Sequence, residues 1–105
     1  MPQFLGHNYI GGHRSANGSV KLHSVDASTG EALPQAFYQA TPEEVDAAAQ
    51  AAAAAYPAYR ALSAARRAQF LDAIADELDA LSDNFIELVC RETALPAARI
   101  KGERG

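Results

Sequence analysis

The chain is 105 residues long and carries a formal net charge of −4. That length suits one domain, and the acidic balance argues against nucleic acid or an anionic membrane as partner, since both are held by a basic field. A single cysteine excludes an internal disulfide framework, and no apolar run approaches the roughly 18 residues of a membrane helix.

The opening stretch, MPQFLGHNYIGG, lacks the charged start and apolar core of a signal peptide. A reducing, cytoplasmic setting is therefore expected. The hydrophobic share of 49% overstates the core. Roughly a fifth of the chain is alanine, which buries little apolar area per residue. Ordering the backbone costs about 1–2 kcal/mol per residue, so an elongated alanine-rich chain is a marginal monomer or one that borrows surface.

Residues 1–40 read as strands and turns. Asn8-Tyr9-Ile10 is a short extended run stopped by Gly11-Gly12. Asn17-Gly18, inside Ser15–Ser19, favours positive φ at a tight turn. Val20, Leu22 and Ser24 then alternate with Lys21, His23 and Val25, the pattern of a half-buried strand. The two runs can pair as a hairpin. Asp26–Glu31 forms a second turn, with an Asp side chain to cap backbone N–H groups and a permissive Gly30. Ala36–Gln39 reads as a third short strand.

Residues 41–105 read as helical. Thr41-Pro42-Glu43-Glu44 is a capping box with proline at the first helical position. Val45, Ala49, Ala52 and Tyr56 are expected to form the apolar face, and Pro57 to end or kink the helix near Tyr56. Ser63 caps a long second stretch. There Phe70, Ile74, Leu78, Leu81, Phe85 and Leu88 recur at helical spacing. As one rod, Ser63 to Glu92 would span roughly 45 Å, and Ser82 is a good N-cap for a break near 82. Leu95-Pro96 stops it, and Pro96 can open a further helix that is cut off at Gly105.

The expected fold is thus α+β, mostly helical with a short N-terminal β-hairpin. Its helices lie over about 42–56, 64–94 and 96–104. One long apolar stripe has no evident partner in the chain. Self-association through Phe70, Ile74, Leu78, Leu81, Phe85 and Leu88 is expected.

Few residues suggest chemistry. Cys90 lies in the apolar run Leu88-Val89-Cys90 and reads as a packed thiol, since free cysteine behaves as a small hydrophobe. His7, His13 and His23 match no common metal spacing. Asp72, Asp76, Glu77, Asp79 and Asp83 sit at helical spacing and read as a solvated face, not an acid–base pair. Arg66-Arg67, at the positive end of a helix, suit an ion pair to another part of the fold better than a phosphate. Gly11-Gly12 is followed by no phosphate-loop pattern and reads as a turn. No catalytic, cofactor-binding or metal-binding residue is assigned.

Three stretches in order resemble the NAD(P)+-dependent aldehyde dehydrogenases. They are Asn8–Gly12 with Asp26–Glu31; Ala40–Ala48 leading to Tyr56, Tyr59 and Arg60; and Arg67–Leu78. The exit, Glu92-Thr93-Ala94-Leu95-Pro96, is similar to the family's Glu-Thr-Gly-x-Pro step. With Ala98–Gly105 it looks most like the branch that oxidises α-ketoglutaric semialdehyde (2,5-dioxovalerate). It departs at Ala94, where the family usually has glycine, and at Leu95, where it often has lysine.

The resemblance implies an N-terminal segment of a larger α/β enzyme. Residues 1–105 would be an incomplete part of its cofactor-binding domain, with the remainder of the dehydrogenase as partner. In that family a cysteine in a Gly-Gln-x-Cys context attacks the aldehyde, hydride passes to NAD or NADP, and a glutamate activates water. None of those groups maps onto these residues, Cys90 included, so the segment alone is expected to be inactive. The competing expectation is a free-standing helical interaction module that uses the Phe70–Leu88 stripe.

Overall fold

A computed structural model describes residues 4–105. Met1 to Gln3, the start of the stretch read for a signal peptide, lie outside the described residues. The element order is β1 (Asn8–Ile10), β2 (His13–Ser15), β3 (Lys21–Val25), β4 (Ala32–Tyr38), α1 (Pro42–Arg60), α2 (Ala64–Asp79), α3 (Asp83–Thr93) and α4 (Ala97–Arg104). No described helix is long and apolar enough to cross a membrane.

The strands pair differently from the expected hairpin. β1 pairs antiparallel with β2, in the register Asn8↔Ser15, Tyr9↔Arg14, Ile10↔His13. β3 pairs instead with β4 in a second two-stranded sheet. The reason lies in the turns. Gly11 and Gly12 hold φ of 59° and 81°, so the chain reverses in two residues directly after Ile10. Two consecutive positive φ angles suit the twist of a tight hairpin. Asn17-Gly18, read as such a turn, does not take positive φ.

The β3–β4 turn is closed by Asp26. Its Oδ1 accepts the N–H groups of Ser28 at 2.8 Å and Thr29 at 3.2 Å. The Asp26 N–H donates to the Glu31 carbonyl at 2.8 Å. Of the alternating β3 set, Ser24 is half-buried while Val20 and Leu22 are exposed. A two-stranded sheet has no second layer of its own to cover an apolar face.

The chain packs as two compact units, and neither coincides with the strand-rich residues 1–40 or the helical residues 41–105. One holds Ser24–Leu33 and Ser63–Gly105; the other holds the described residues up to His23 together with Pro34–Leu62.

In the second of these, α1 begins as its sequence dictates. The Thr41 side chain accepts the Glu44 N–H at 3.1 Å, and the Glu44 carboxylate accepts the Thr41 N–H at 3.0 Å. Two of the four orphan donors of the first turn are thereby satisfied. The helix does not end at Tyr56 but runs through Pro57 to Arg60. Pro57 withdraws one N–H from the Ala53 carbonyl, yet Ala53 is exposed, so water can take that acceptor. Alanine propensity carries the helix across.

The inward face of α1 is also rotated from the expected one. Val45 is 60% and Tyr56 59% exposed, with Ala49 and Ala52 exposed between them. Glu44, Ala48 and Ala51 turn inward against β1. Hydrogen bonds made by Glu44 select that face over the apolar one. Around it, Asn8 Nδ2 donates to the Tyr38 carbonyl at 3.3 Å, and the Gln39 N–H donates to the Val20 carbonyl at 2.9 Å.

In the other unit, the long helical stretch is broken. Ser63 caps α2 by accepting the Arg66 N–H at 3.2 Å. The helix stops at Asp79, and Ser82 is the N-cap of α3 in extended conformation, without a side-chain cap bond. Among the described residues the buried apolar side chains are Leu33, Ile86 and Ile100. Ile86 on α3 and Ile100 on α4 belong to helices that pack on one another. Arg104 Nη1 donates to the Leu81 carbonyl at 3.4 Å, and the Ala27 N–H to the Arg91 carbonyl at 2.9 Å.

α3 ends on Ala94 in the left-handed region, φ 60° and ψ 19°. Its N–H donates to the Cys90 carbonyl at 2.8 Å. Glycine takes this conformation without the Cβ penalty, whereas a residue with Cβ is strained by about 1 kcal/mol. Replacing Ala94 with glycine should therefore stabilise the chain by about that amount. In a domain of this size the melting midpoint should rise by roughly 4–8 °C. Thermal unfolding followed by circular dichroism checks this, and an unchanged or lower midpoint counts against it.

Candidate functional site

Three places gather side chains. The first is the apolar face of α2, where Phe70, Ile74 and Leu78 lie one helical turn apart and line, with Ala73, Glu77 and, just beyond the helix, Leu81, an open groove of about 380 Å³. Phe70 is 51%, Ile74 41% and Leu78 47% exposed. Phe85 and Leu88, expected to continue this stripe, do not line it. They sit on α3 and are half-buried, because the chain leaves the helix between Asp79 and Asp83. The continuous stripe expected from spacing is thus two shorter faces.

The second place lies between α3 and α4. Asp83, Ile86, Glu87, Cys90, Leu95, Pro96, Ala97 and Lys101 line a groove of about 460 Å³. Cys90 is a free, half-buried thiol on its wall. Among the described residues no hydrogen bond joins the Cys90 thiol to a base.

The third is the Glu44 carboxylate, 3% exposed at the start of α1. It accepts the Ser15 hydroxyl and the Asn17 N–H, the latter at 3.4 Å, besides closing the capping box. The Ser15 hydroxyl, foremost, and the Thr41 N–H hold its pKa below the usual 4.5, against burial, which pushes it up. His13, Arg14 and Glu43 line the same shallow recess of about 310 Å³. The sequence reading found the cap but not the tie to Ser15. The two residues are 29 positions apart, and no spacing rule links them.

The remaining candidates are dispersed. His7 meets Tyr38 edge-on, with ring centroids 5.3 Å apart. His13 pairs with Ile10 across the first hairpin, and His23 lies in β3. Among the described residues no group of three His, Cys, Asp or Glu side chains could hold a metal ion. Asp72, Asp76, Glu77, Asp79 and Asp83 are all exposed. Asp79 lies 3.9 Å from Arg104 Nε. Arg66 is exposed and Arg67 half-buried on the first turn of α2. Gly11-Gly12 closes a hairpin and does not stand at the strand-to-helix junction where a dinucleotide pyrophosphate would sit.

Comparison with known proteins shows what these surfaces belong to. Residues 13–104 match the model of the aldehyde dehydrogenase family. The chain belongs to the aldehyde dehydrogenase family. Alpha-ketoglutaric semialdehyde dehydrogenase 2 of Azospirillum brasilense is 43% identical over 104 residues, which is 98% of this chain and 20% of that protein. Alpha-ketoglutaric semialdehyde dehydrogenase of Acinetobacter baylyi is 38% identical over 105 residues, 100% of this chain and 20% of that protein. The chain thus spans about a fifth of the length of the curated relatives it matches. No solved structure matches it.

Within this aldehyde dehydrogenase sequence, the Glu92–Pro96 step lies at the α3–α4 junction, and Ala94 is its left-handed residue. The glycine usual at this position in the family therefore has a conformational reason. The finding gives no support to the alternative of a free-standing interaction module.

Proposed function

We propose that the chain is an N-terminal scaffold segment of an NAD(P)+-dependent aldehyde dehydrogenase acting on α-ketoglutaric semialdehyde or a similar aldehyde. The whole would be a cytoplasmic, oligomeric enzyme of α/β fold. Its cysteine nucleophile, nicotinamide site and glutamate base would come from residues other than these. The observation that carries this reading is the exposed Phe70–Ile74–Leu78 face on a chain that spans a fifth of its relatives. Three large apolar side chains one turn apart form a face that other protein covers. In the whole enzyme the remainder of the dehydrogenase would lie there. The isolated chain would cover it by self-association.

A chimera tests this. The chain replaces the matching segment of the Azospirillum relative, and oxidation of α-ketoglutaric semialdehyde is followed by NAD(P)H absorbance. The chimera should be active, and Leu78→Glu should abolish its assembly and activity. In sedimentation, the isolated chain should associate with rising concentration and Leu78→Glu should not. A fully active Leu78→Glu chimera, or a chain that stays monomeric at high concentration, overturns the reading.

A further inference from the structure

The Asn17-Gly18 pair plays no part in that function, nor in the turn its sequence suggested. It lies in the irregular segment between β2 and β3, with Asn17 exposed. Asparagine is among the thermolabile residues, and a following glycine offers its backbone nitrogen least hindered, having no side chain. We propose that Asn17 is a spontaneous deamidation site whose conversion releases the contact between β2 and α1.

The chemistry needs only water. The Gly18 backbone nitrogen attacks the Asn17 side-chain carbonyl carbon. The Gly18 nitrogen gives up its proton to water, the bond to the side-chain nitrogen breaks as that nitrogen takes up a proton, ammonia leaves and a five-membered succinimide closes. Water then opens either of its two carbonyls. One opening leaves aspartate. The other leaves isoaspartate, in which the backbone passes through the former side chain and gains a methylene.

Two observations make the site reactive and consequential in this fold. Among the described residues, neither the Asn17 side-chain amide nor the Gly18 N–H makes a hydrogen bond, so both reacting groups are unengaged. The glycine is also not exchangeable. A Cβ at Gly18 would lie 2.4 Å from the Gln39 carbonyl oxygen, a backbone atom that cannot swing away. Packing therefore requires the residue that leaves Asn17 most exposed to attack.

The same packing determines what conversion does. Asn17 is held at its own N–H by the Glu44 carboxylate, and Gly18 is held against Gln39. Isoaspartate lengthens the chain between those two fixed points, so one must yield. Aspartate keeps the length but adds a carboxylate beside Glu44, and like charges repel. Either product weakens the recess where Ser15 meets Glu44.

The test is to age the chain at 37 °C and mildly alkaline pH, with and without denaturant, and to map its peptides by mass spectrometry. Asn8, before tyrosine, and Asn84, before phenylalanine, serve as internal references. Asn17 should convert several-fold faster than both without denaturant, giving aspartate and isoaspartate. As it converts, cleavage at Arg14 by trypsin should accelerate, and Asn17→Gln should abolish that acceleration. Conversion only in denaturant would show that the fold shields the pair and would overturn the proposal. Conversion with unchanged cleavage at Arg14 overturns the coupling to Glu44. A chain without helical circular dichroism overturns it too, since the contact would not exist.

Discussion

Replacing Ile86 with alanine should unfold the half of the chain that contains α3 and α4. Ile86 is 3% exposed, and it shares the buried apolar set with Leu33 at 7% and Ile100 at 8%. Truncating a buried isoleucine removes its transfer free energy and leaves a cavity, together about 2–5 kcal/mol. Net stabilities run to only about 0.05–0.15 kcal/mol per residue, so a unit of this size has little more than that to lose. Among the described residues few apolar side chains are buried, so little is available to collapse into the gap. Surface ion pairs do not compensate. Arg91–Glu87 at 3.0 Å and Arg99–Glu103 at 2.8 Å are exposed i,i+4 pairs worth about 0.3–0.5 kcal/mol each.

Helical circular dichroism against temperature measures the effect, with Leu71→Ala as the control. Leu71 is 61% exposed and stands outside the α2 groove, so its loss should shift stability by no more than about 0.5 kcal/mol. Ile86→Ala should lower the midpoint by tens of degrees or abolish the transition. Equal effects from the two substitutions would show that α3 and α4 share no core.

The elements were legible where a local signal governs them. Thr41-Pro42-Glu43-Glu44 names its capping box because every participant lies within four residues. Ser63 caps α2 for the same reason, and Asp26 closes its turn two and three residues ahead. Strand partnering failed because it is not local. β1 could pair with either of two runs, and only the positive φ at both Gly11 and Gly12 selects β2. The inward face of α1 failed for a further reason. Apolar periodicity pointed to Val45 and Tyr56, but Ser15 and Asn17 draw a charged residue inward instead. The α2 face was legible as apolar. Its occupant was not, because among the described residues Ile74 and Leu78 stay more than two-fifths exposed and periodicity does not say what covers them. Family resemblance supplied the reading of function that periodicity alone could not.

Lowering the pH through the acid range should detach β2 from α1, and Glu44 should account for the detachment. The Glu44 carboxylate holds three donors: the Ser15 hydroxyl in β2, the Asn17 N–H beyond it, and the Thr41 N–H at the helix cap. Its pKa in the folded chain lies below the ordinary 4.5, chiefly through the Ser15 hydroxyl. A depressed carboxylate contributes stability that is fully present above its unfolded value. That contribution fades as pH falls below about 4.5 and through the folded value, because protonation removes an acceptor these donors require.

Glu44→Gln isolates the effect. Glutamine has one acceptor oxygen where the carboxylate uses two, so it keeps either the Thr41 N–H or the Ser15 hydroxyl, and it carries no charge to titrate. His13, Arg14 and Glu43, which line the same recess, are unchanged by the substitution. Unfolding midpoints measured between neutral pH and pH 3 should fall more steeply for the native chain than for Glu44→Gln. Glu44→Ala should be the least stable at neutral pH, since it strands the Ser15 hydroxyl and the Thr41 N–H without their acceptor. Parallel pH profiles for the native chain and Glu44→Gln would mean that the charge contributes nothing. The tie between β2 and α1 would then rest on neutral hydrogen bonds alone.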